Sequence, residues 1–172
     1  QSYERAGASA LQIEDQTYPK RCGHLSDKSL ISKQEMVGKI AAMADARRHD
    51  TLIVARTDAI AVEGFQAAID RAGSYIDAGA DVLFIEAPRN SAELSKIAET
   101  FKGRVPLLAN MVEGGSTPIS SATTLQDMGF DIVIFPGGIV RAQAKTAKTT
   151  ISACSKPVPT RPFLVGCMIL MG

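Results

Sequence analysis

The amino-acid sequence predicts an α/β fold built on a parallel sheet, and it favours a barrel over an open sheet. Short, nearly continuous apolar runs alternate with amphipathic helical patterns along most of the chain, which is typical of parallel strands buried on both faces. A similar short sequence pattern recurs where a helix leads into a strand, at residues 78–82 and 127–132. Polar residues follow directly after most of the apolar runs. An open sheet would concentrate such residues at one switch point, whereas a barrel uses nearly every strand.

Five strands are expected, each an apolar run of four or five residues. They are expected at 9–13, 52–55, 82–85, 106–109 and 131–135. A complete (β/α)8 TIM barrel has about 250 residues and eight strands. The sequence therefore predicts only the last five or so βα units of such a barrel, which is a partial barrel.

Helical patterns lie between the expected strands. Ser32 and Glu35 form a capping box, which predicts a helix that begins there and ends near Arg47. Three more helices are expected: from Val62 to about 78, where Gly79 ends it; from 91 to 101, with Ser91 as N-cap; and from 121 or 122 to just before Gly129.

Residues 1–150 are expected to form one catalytic domain, a partial barrel that lacks its first strands. Residues 151–172 depart from the βα pattern, and their apolar run at 163–171 is too short to span a bilayer. The chain does not begin with Met, and it opens on the pattern of a helix end. We therefore expect a fragment of a longer protein.

Composition narrows the range of partners and compartments. The chain has 172 residues and a formal net charge of +1, with no basic block, so neither nucleic acid nor a membrane surface is an expected partner. Three widely spaced cysteines suit a reducing compartment. We expect a cytoplasmic protein, with the mitochondrial matrix left open. Neither a GxGxxG nor a P-loop pattern occurs in the sequence, which argues against nucleotide binding.

The strongest chemical signal is the segment Lys20-Arg-Cys-Gly-His24. It places a thiol between two cations and an imidazole, and neighbouring positive charge favours the reactive thiolate. Such a cysteine can serve as a nucleophile or as a general acid/base. The alternative is a solvated basic loop in which Cys22 is incidental. Cys154 and Cys167 lie near or in the tail without comparable neighbours.

This segment and four others resemble the isocitrate lyase / phosphoenolpyruvate mutase superfamily. The segments occur in the family's order and in register with the expected strands: Ile13-Glu-Asp-Gln16, Lys20–His24, Ala55-Arg-Thr-Asp-Ala59, Phe84-Ile-Glu-Ala87 and Leu108-Ala-Asn-Met-Val-Glu-Gly-Gly115. The likeness is strongest to its 2-methylisocitrate-lyase-type members, and it covers roughly residues 1–148. The wording at 111–115 is also similar to sequences named carboxyvinyl-carboxyphosphonate phosphorylmutase.

The resemblance implies a role for eight residues. Cys22 would be the catalytic acid/base on a mobile loop, lined by Gly23 and His24. The residues implied in substrate binding are Arg56, Glu86, Asn110 and Arg141, and Glu14 would reach a metal ion through water. Alternatives remain for three of them: Arg56 could form a surface ion pair with Asp58, Glu86 a structural salt bridge with an arginine, and Arg141 could be a surface residue near a helix N-terminus.

The activity that the resemblance implies is that of a lyase dependent on Mg²⁺, with Mn²⁺ as the alternative ion. It would cleave a carbon–carbon bond in a 2-hydroxy di- or tricarboxylate similar to methylisocitrate. The products would be an α-keto acid and a dicarboxylate. The partners would be this small-molecule carboxylate and further copies of the chain, since the family forms tetramers. The alternatives are phosphonomutase or oxaloacetate-decarboxylase-like chemistry, and a non-catalytic fragment.

Two departures from the family bear on these expectations. The Asp-x-Asp segment that supplies the family's main Mg²⁺ ligands does not occur in this sequence. The chain on its own is therefore expected to be inactive unless those ligands come from elsewhere. Val112 stands where methylisocitrate lyases usually carry threonine, which leaves the substrate open.

Overall fold

The structure, a computed structural model, describes residues 1–22 and 27–154. The chain divides into two compact units, one spanning Gln1–Pro136 and the other beginning at Gly137. The first unit contains the whole sheet and six helices within the described residues. In the second, the described residues form one long helix.

The five expected strands are confirmed, with ends that differ from the sequence prediction by one or two residues. They are β1 (Ala10–Glu14), β2 (Leu52–Thr57), β3 (Val82–Ile85), β4 (Leu107–Asn110) and β5 (Ile132–Ile134). Each pairs in parallel with the next along the chain, so the order in the sheet is β1-β2-β3-β4-β5. Every crossover therefore advances in the same direction, as around a barrel, whereas a doubly wound sheet reverses direction at its switch point.

The helices are α1 (Ser2–Arg5), α2 (Lys33–Ala46), α3 (Ala59–Val62), α4 (Phe65–Asp77), α5 (Ser91–Phe101), α6 (Ala122–Met128) and α7 (Gly138–Cys154). The capping box of α2 is confirmed, because the Ser32 hydroxyl accepts from the Glu35 amide at 3.1 Å. The end of α6 is also as predicted, since Gly129 adopts the left-handed conformation that closes a helix.

Two helix starts differ from the prediction. The helix expected from Val62 begins at Phe65 instead, and the short helix α3 ends at Val62, because Gly64 between them has φ +95° and interrupts the helical backbone. The N-cap of α5 is Asn90 rather than Ser91: its side chain accepts from the Glu93 amide at 2.9 Å. Asparagine and serine are comparable N-caps, so composition alone did not distinguish the two positions.

Helix α7 was not predicted from the sequence. It continues past residue 150 to Cys154, and the tail beyond it lies outside the described residues. None of the helices in the described ranges is both long enough and apolar enough to cross a membrane.

Helices α2 to α6 pack on one face of the sheet. The side chains of Ile53, Ala55 and Leu83 point to this face and join two apolar clusters with residues of α2 to α6. The other face carries a smaller cluster contributed by strands alone: Val54, Val82, Phe84 and Leu108. A sheet with helices on one face and an apolar second face is a sector of a barrel, whose second face lines the barrel interior.

Candidate active site

Four of the implied site residues meet at the carboxyl ends of β1 to β4, on the face away from the helices. Glu14 lies beside Arg56 in the register of β1 and β2. Arg56 in turn lies beside Phe84, and Phe84 beside Leu108. Glu86 and Asn110 follow two residues after these positions, so alternation returns their side chains to the same face.

Arg56 lies at the centre of the site, and we refer to it together with Glu14, Asp58 and Glu86 as the Arg56 group. Its Nε and Nη2 donate to the two carboxylate oxygens of Asp58 at 2.8 and 3.0 Å. Its Nη1 lies 3.3 Å from a Glu86 oxygen, and its Nε lies 3.6 Å from a Glu14 oxygen. The guanidinium also stacks over the Phe84 ring, 5.0 Å from the centroid. The two structural alternatives raised from the sequence, pairing with Asp58 and pairing of Glu86 with an arginine, are thus both present, and the arginine side chain is only 12% exposed rather than on the surface.

The charges around Arg56 keep it ionised. Burial by itself would lower the pKa of this guanidinium, but the hydrogen bonds that it donates to Asp58 and the charges of Glu86, Asp58 and Glu14 outweigh burial and raise the pKa. The Asp58 side chain is fully buried, and Lys28, with a side chain only 2% exposed, lies 3.6 Å from it. A second lysine, Lys20, lies 3.0 Å from Glu14.

Asn110 contacts Glu86 at the carboxyl ends of β3 and β4. The Asn110 amide nitrogen lies 3.3 and 3.4 Å from the two oxygens of Glu86. This leaves Asn110 Oδ1 buried without a hydrogen bond, and Glu14 Oε1 is in the same condition despite its short distance to Lys20 Nζ. Buried acceptors without donors are uncommon in proteins, and two of them in one site are suited to a ligand that donates hydrogen bonds.

The loop that carries the thiol begins directly after β1. We refer to residues 15–29 as the thiol loop. Cys22 is exposed, while Gly23 and His24 lie outside the described residues. The loop reaches the site through the ion pair between Lys20 and Glu14, so the thiol loop and the Arg56 group are in direct contact.

Arg141, by contrast, lies on α7 in the second unit, where it is exposed. Its role in substrate binding stays a prediction. The structure adds Asp58 and Lys28, which the sequence analysis did not assign to the site. Asp58 had a signal, since it stands two residues after Arg56, but Lys28 had none because its ion-pair partner is thirty residues away.

Within the described ranges no group of three His, Cys, Asp or Glu side chains is arranged to hold a metal ion. The Glu14 carboxylate suits a water-mediated contact to a divalent cation, which prefers oxygen ligands. The described residues fit a contribution to a metal site but not a complete one.

The phosphoenolpyruvate phosphomutase family model matches residues 1–154. The chain belongs to this family. Among curated relatives, it is 51% identical over 148 residues to 2-methylisocitrate lyase of Aeropyrum pernix, which covers 86% of this chain and 47% of that protein. It is 44% identical to 2,3-dimethylmalate lyase of Eubacterium barkeri, over 83% of this chain and 49% of that protein. The chain thus spans about half the length of the relatives it matches, and these relatives are lyases.

Solved structures show the same family. The crystal structure of 2,3-dimethylmalate lyase, named a phosphoenolpyruvate mutase/isocitrate lyase superfamily member, covers 90% of this chain and 53% of its own with TM-score 0.80 and 37% identity. Oxaloacetate acetylhydrolase with 3,3-difluorooxalacetate reaches TM-score 0.80 at 33% identity, over 93% of this chain and 55% of its own. Phosphonopyruvate hydrolase, in complex with oxalate and Mg²⁺, reaches TM-score 0.69 at 32% identity, over 88% and 52%. The partial α/β barrel expected from the sequence is confirmed.

Proposed function

We propose that the protein carrying this sequence is an oxo-acid lyase that cleaves a carbon–carbon bond of a 2-hydroxy di- or tricarboxylate of the methylisocitrate type. The observation that carries the proposal is the buried Arg56 group at the carboxyl ends of the strands, in contact with the thiol loop. Identity of 51% to a 2-methylisocitrate lyase supports the same class of substrate.

Arg56 is proposed to bind a substrate carboxylate through the edge of its guanidinium that Asp58 does not use. Asp58 takes the side formed by Nε and Nη2. The remaining hydrogens of Nη1 and Nη2 form the end-on edge, which matches the two oxygens of a carboxylate. Asp58 therefore holds the fork in one orientation and does not compete with the substrate for it.

Asn110 is proposed to accept a hydrogen bond from the substrate's 2-hydroxyl group. Its amide nitrogen is directed to Glu86, so the carbonyl oxygen is the atom that a ligand can use. A hydroxyl donor fits this oxygen, whereas a carboxylate oxygen does not. This specifies the role in substrate binding that the family resemblance implies for Asn110.

Cys22 is proposed as the general acid in the cleavage step. The hydroxyl proton passes to solvent water, the carbon that bore the hydroxyl becomes the carbonyl of the α-keto acid, and the bond to the neighbouring carbon breaks. The electron pair of that bond stays on the neighbouring carbon, beside a carboxylate, and the Cys22 thiol transfers its proton there. The Cys22 thiolate left after this final step regains a proton from solvent. For 2-methylisocitrate the products are pyruvate and succinate, and atoms and charge balance.

A divalent cation, Mg²⁺ or Mn²⁺, is proposed as the cofactor, with Glu14 contributing through water. When bound, such an ion supplies a Lewis acid that stabilises negative charge on the substrate's oxygens. Around it the residues of this chain bind the carboxylate, orient the hydroxyl and deliver the proton.

The test is release of pyruvate from 2-methylisocitrate in the presence of Mg²⁺, followed through NADH oxidation by lactate dehydrogenase. Pyruvate formation that depends on added 2-methylisocitrate supports the proposal. A second candidate function is hydrolysis of oxaloacetate to acetate and oxalate, which the TM-score of 0.80 to oxaloacetate acetylhydrolase favours. A parallel assay with oxaloacetate, measuring acetate and oxalate, tests it. Release of oxalate without any pyruvate formation would overturn the lyase proposal.

A further inference from the structure

Gln16 lies at the start of the thiol loop and is nearly buried, with 9% of its surface exposed. Both ends of its side-chain amide bind the backbone of one residue. Its Nε2 donates to the Arg21 carbonyl at 2.9 Å, and its Oε1 accepts from the Arg21 amide at 2.8 Å. The Arg21 carbonyl belongs to the peptide bond that joins Arg21 to Cys22, so this contact holds the peptide immediately before the thiol.

The side-chain chemistry explains why glutamine is required for this contact. A primary amide carries a donor and an acceptor side by side, as a backbone peptide does, and so can pair with both groups of one residue. Glutamate has the length but no donor in its ionised form. Methionine has a similar length and volume but forms neither hydrogen bond.

Gln16 is itself held by the base of the loop. Its backbone forms an antiparallel bridge with Leu30, and the Thr17 amide donates to the Ser29 carbonyl at 2.9 Å. The Ile31 amide donates to the Asp15 carbonyl, also at 2.9 Å. The two ends of the thiol loop are thus joined at Gln16, directly after β1.

Asp15 connects this base to the substrate side of the site. Its fully buried carboxylate accepts from the Asp58 amide at 3.0 Å and from the Thr57 hydroxyl at 2.7 Å. Asp58 in turn holds the Arg56 guanidinium. Two neighbouring residues after β1 therefore position both parts of the site. Asp15 positions Arg56 through Asp58, and Gln16 positions the peptide before Cys22.

We infer that Gln16 is a positioning residue for the Cys22 thiol, fixing the peptide before it relative to the Arg56 group. This rests on the proposed function, in which Cys22 delivers a proton to the substrate carbon. Displacement of a catalytic group by about 1 Å can lower a rate on the order of 100-fold. Loss of the contact should therefore lower kcat more than it changes KM, because Arg56 and Asn110 still bind the substrate.

The experiment compares Gln16→Met and Gln16→Glu with wild type in the protein that carries this sequence. Methionine removes both hydrogen bonds at nearly constant volume, and glutamate keeps only the acceptor. We expect kcat for pyruvate formation to fall about 10–100-fold in the methionine variant and less in the glutamate variant, with KM changed less than about threefold. Gln66→Met is the matched control, since Gln66 is an exposed amide on α4 that binds Asp70.

Amide hydrogen exchange provides a readout that does not need turnover. In Gln16→Met the Arg21 amide should exchange at least about tenfold faster, while the Leu83 amide, which bonds to Pro106 in the sheet, should be unchanged. Gln16→Glu should keep the Arg21 amide protected, and this separates a local effect from unfolding. Faster exchange confined to Arg21 and its neighbours would show that Gln16 holds the peptide before Cys22, and this readout does not depend on turnover.

Two results would overturn it. One is an Arg21 amide that exchanges equally fast in wild type and Gln16→Met. The other is a methionine variant that loses protection but keeps wild-type kcat, which would leave Gln16 with a structural role only. Failure of the proposed function appears separately, as absence of pyruvate formation in the wild type.

Discussion

Arg56 and Asp58 form the pair on which the geometry of the site depends. Both side chains are largely buried, and each carboxylate oxygen of Asp58 accepts one guanidinium hydrogen bond. Removal of one partner of a buried pair typically costs about 3–5 kcal/mol, because the other charge is left uncompensated. Asp58 therefore holds the Arg56 guanidinium in one orientation. Variants that remove the Asp58 carboxylate are expected to lose folding stability as well as activity.

Arg56→Lys keeps the charge but removes the planar fork. Two-point binding of a substrate carboxylate is lost, so we expect KM to rise about 10–100-fold, with a smaller fall in kcat. Steady-state kinetics of pyruvate formation measure both constants. Arg104→Lys is the control, because Arg104 is an exposed arginine that pairs with Asp77. An unchanged KM in Arg56→Lys would move Arg56 from substrate binding to a structural role.

Cys22→Ser tests the proton donor at the same scale. A hydroxyl is a far weaker acid than a thiol, and general acid catalysis typically contributes about 10²–10⁴-fold. We expect kcat to fall within that range, while calorimetric titration shows substrate binding close to wild type. Cys154→Ser on α7 is the control, since it makes the same chemical change at a residue outside the thiol loop. A Cys22→Ser enzyme that keeps more than about a tenth of wild-type turnover is incompatible with the proposed role.

At the scale of elements, α4 is tied to the end of β1 by a buried polar group. The Tyr75 hydroxyl donates to Asp15 at 2.8 Å and accepts from Arg71 at 3.1 Å. Arg71 also donates to the Ile31 carbonyl and to both carboxylate oxygens of Glu63, and the hydrogen bond with Glu63 is the main reason that the pKa of Arg71 is raised. One helix thus braces the strand end from which Asp15 and Gln16 act.

Tyr75→Phe should reveal this bracing through its pH dependence. Burial, and then the negative charge of Asp15, raise the pKa of Tyr75. Because the folded pKa lies above the unfolded value of about 10, the contribution of Tyr75 to stability is fully present below pH about 10. It is lost as the pH rises further, by up to about 1.4 kcal/mol per pH unit.

We therefore expect wild type to be more stable than Tyr75→Phe by about 1–3 kcal/mol at pH 7, and the difference to shrink above pH about 10. Urea unfolding at both pH values measures it. Tyr3→Phe is the control, since Tyr3 is 71% exposed and should give no such difference. A gap between wild type and Tyr75→Phe that stays constant up to pH about 11 would contradict the assignment.

At the scale of the molecule, the sheet leaves an apolar face and two edges for other contacts. In the described part of the first unit, β1 and β5 each pair on one side only. Leu52, Ile132 and Ile134 on the helix-free face are 38–44% exposed. Exposed edges and apolar sheet faces promote association with other chains.

The 172-residue chain by itself is therefore expected to self-associate at concentrations of about 10–100 μM rather than sediment as a compact monomer. Sedimentation velocity measures this directly. Leu52→Lys should weaken the association, whereas Ile119→Lys, at an exposed site outside the sheet, should not. A cooperative monomer over the whole range would show that the chain covers this face itself.

Much of the architecture could be predicted because its signals are local. An apolar run of strand length, a capping box and a glycine at a helix end each act within a few residues, and the five strands and α2 followed from them. The errors arose where two neighbouring residues offered equivalent signals, as at Asn90 and Ser91, or where one glycine, Gly64, took a conformation that the helical pattern did not indicate.

The sequence by itself determined the order of the strands and which side chains follow them, and therefore that Glu14, Arg56, Glu86 and Asn110 stand at one end of a parallel sheet. Only the tertiary structure decided which residues from distant parts of the chain support that end of the sheet. Asp15 meets Tyr75 sixty residues away, and Lys28 meets Asp58 thirty residues away. Such contacts depend on the register of strands and on the packing of helices against them, and neither is encoded in the spacing of residues along the chain.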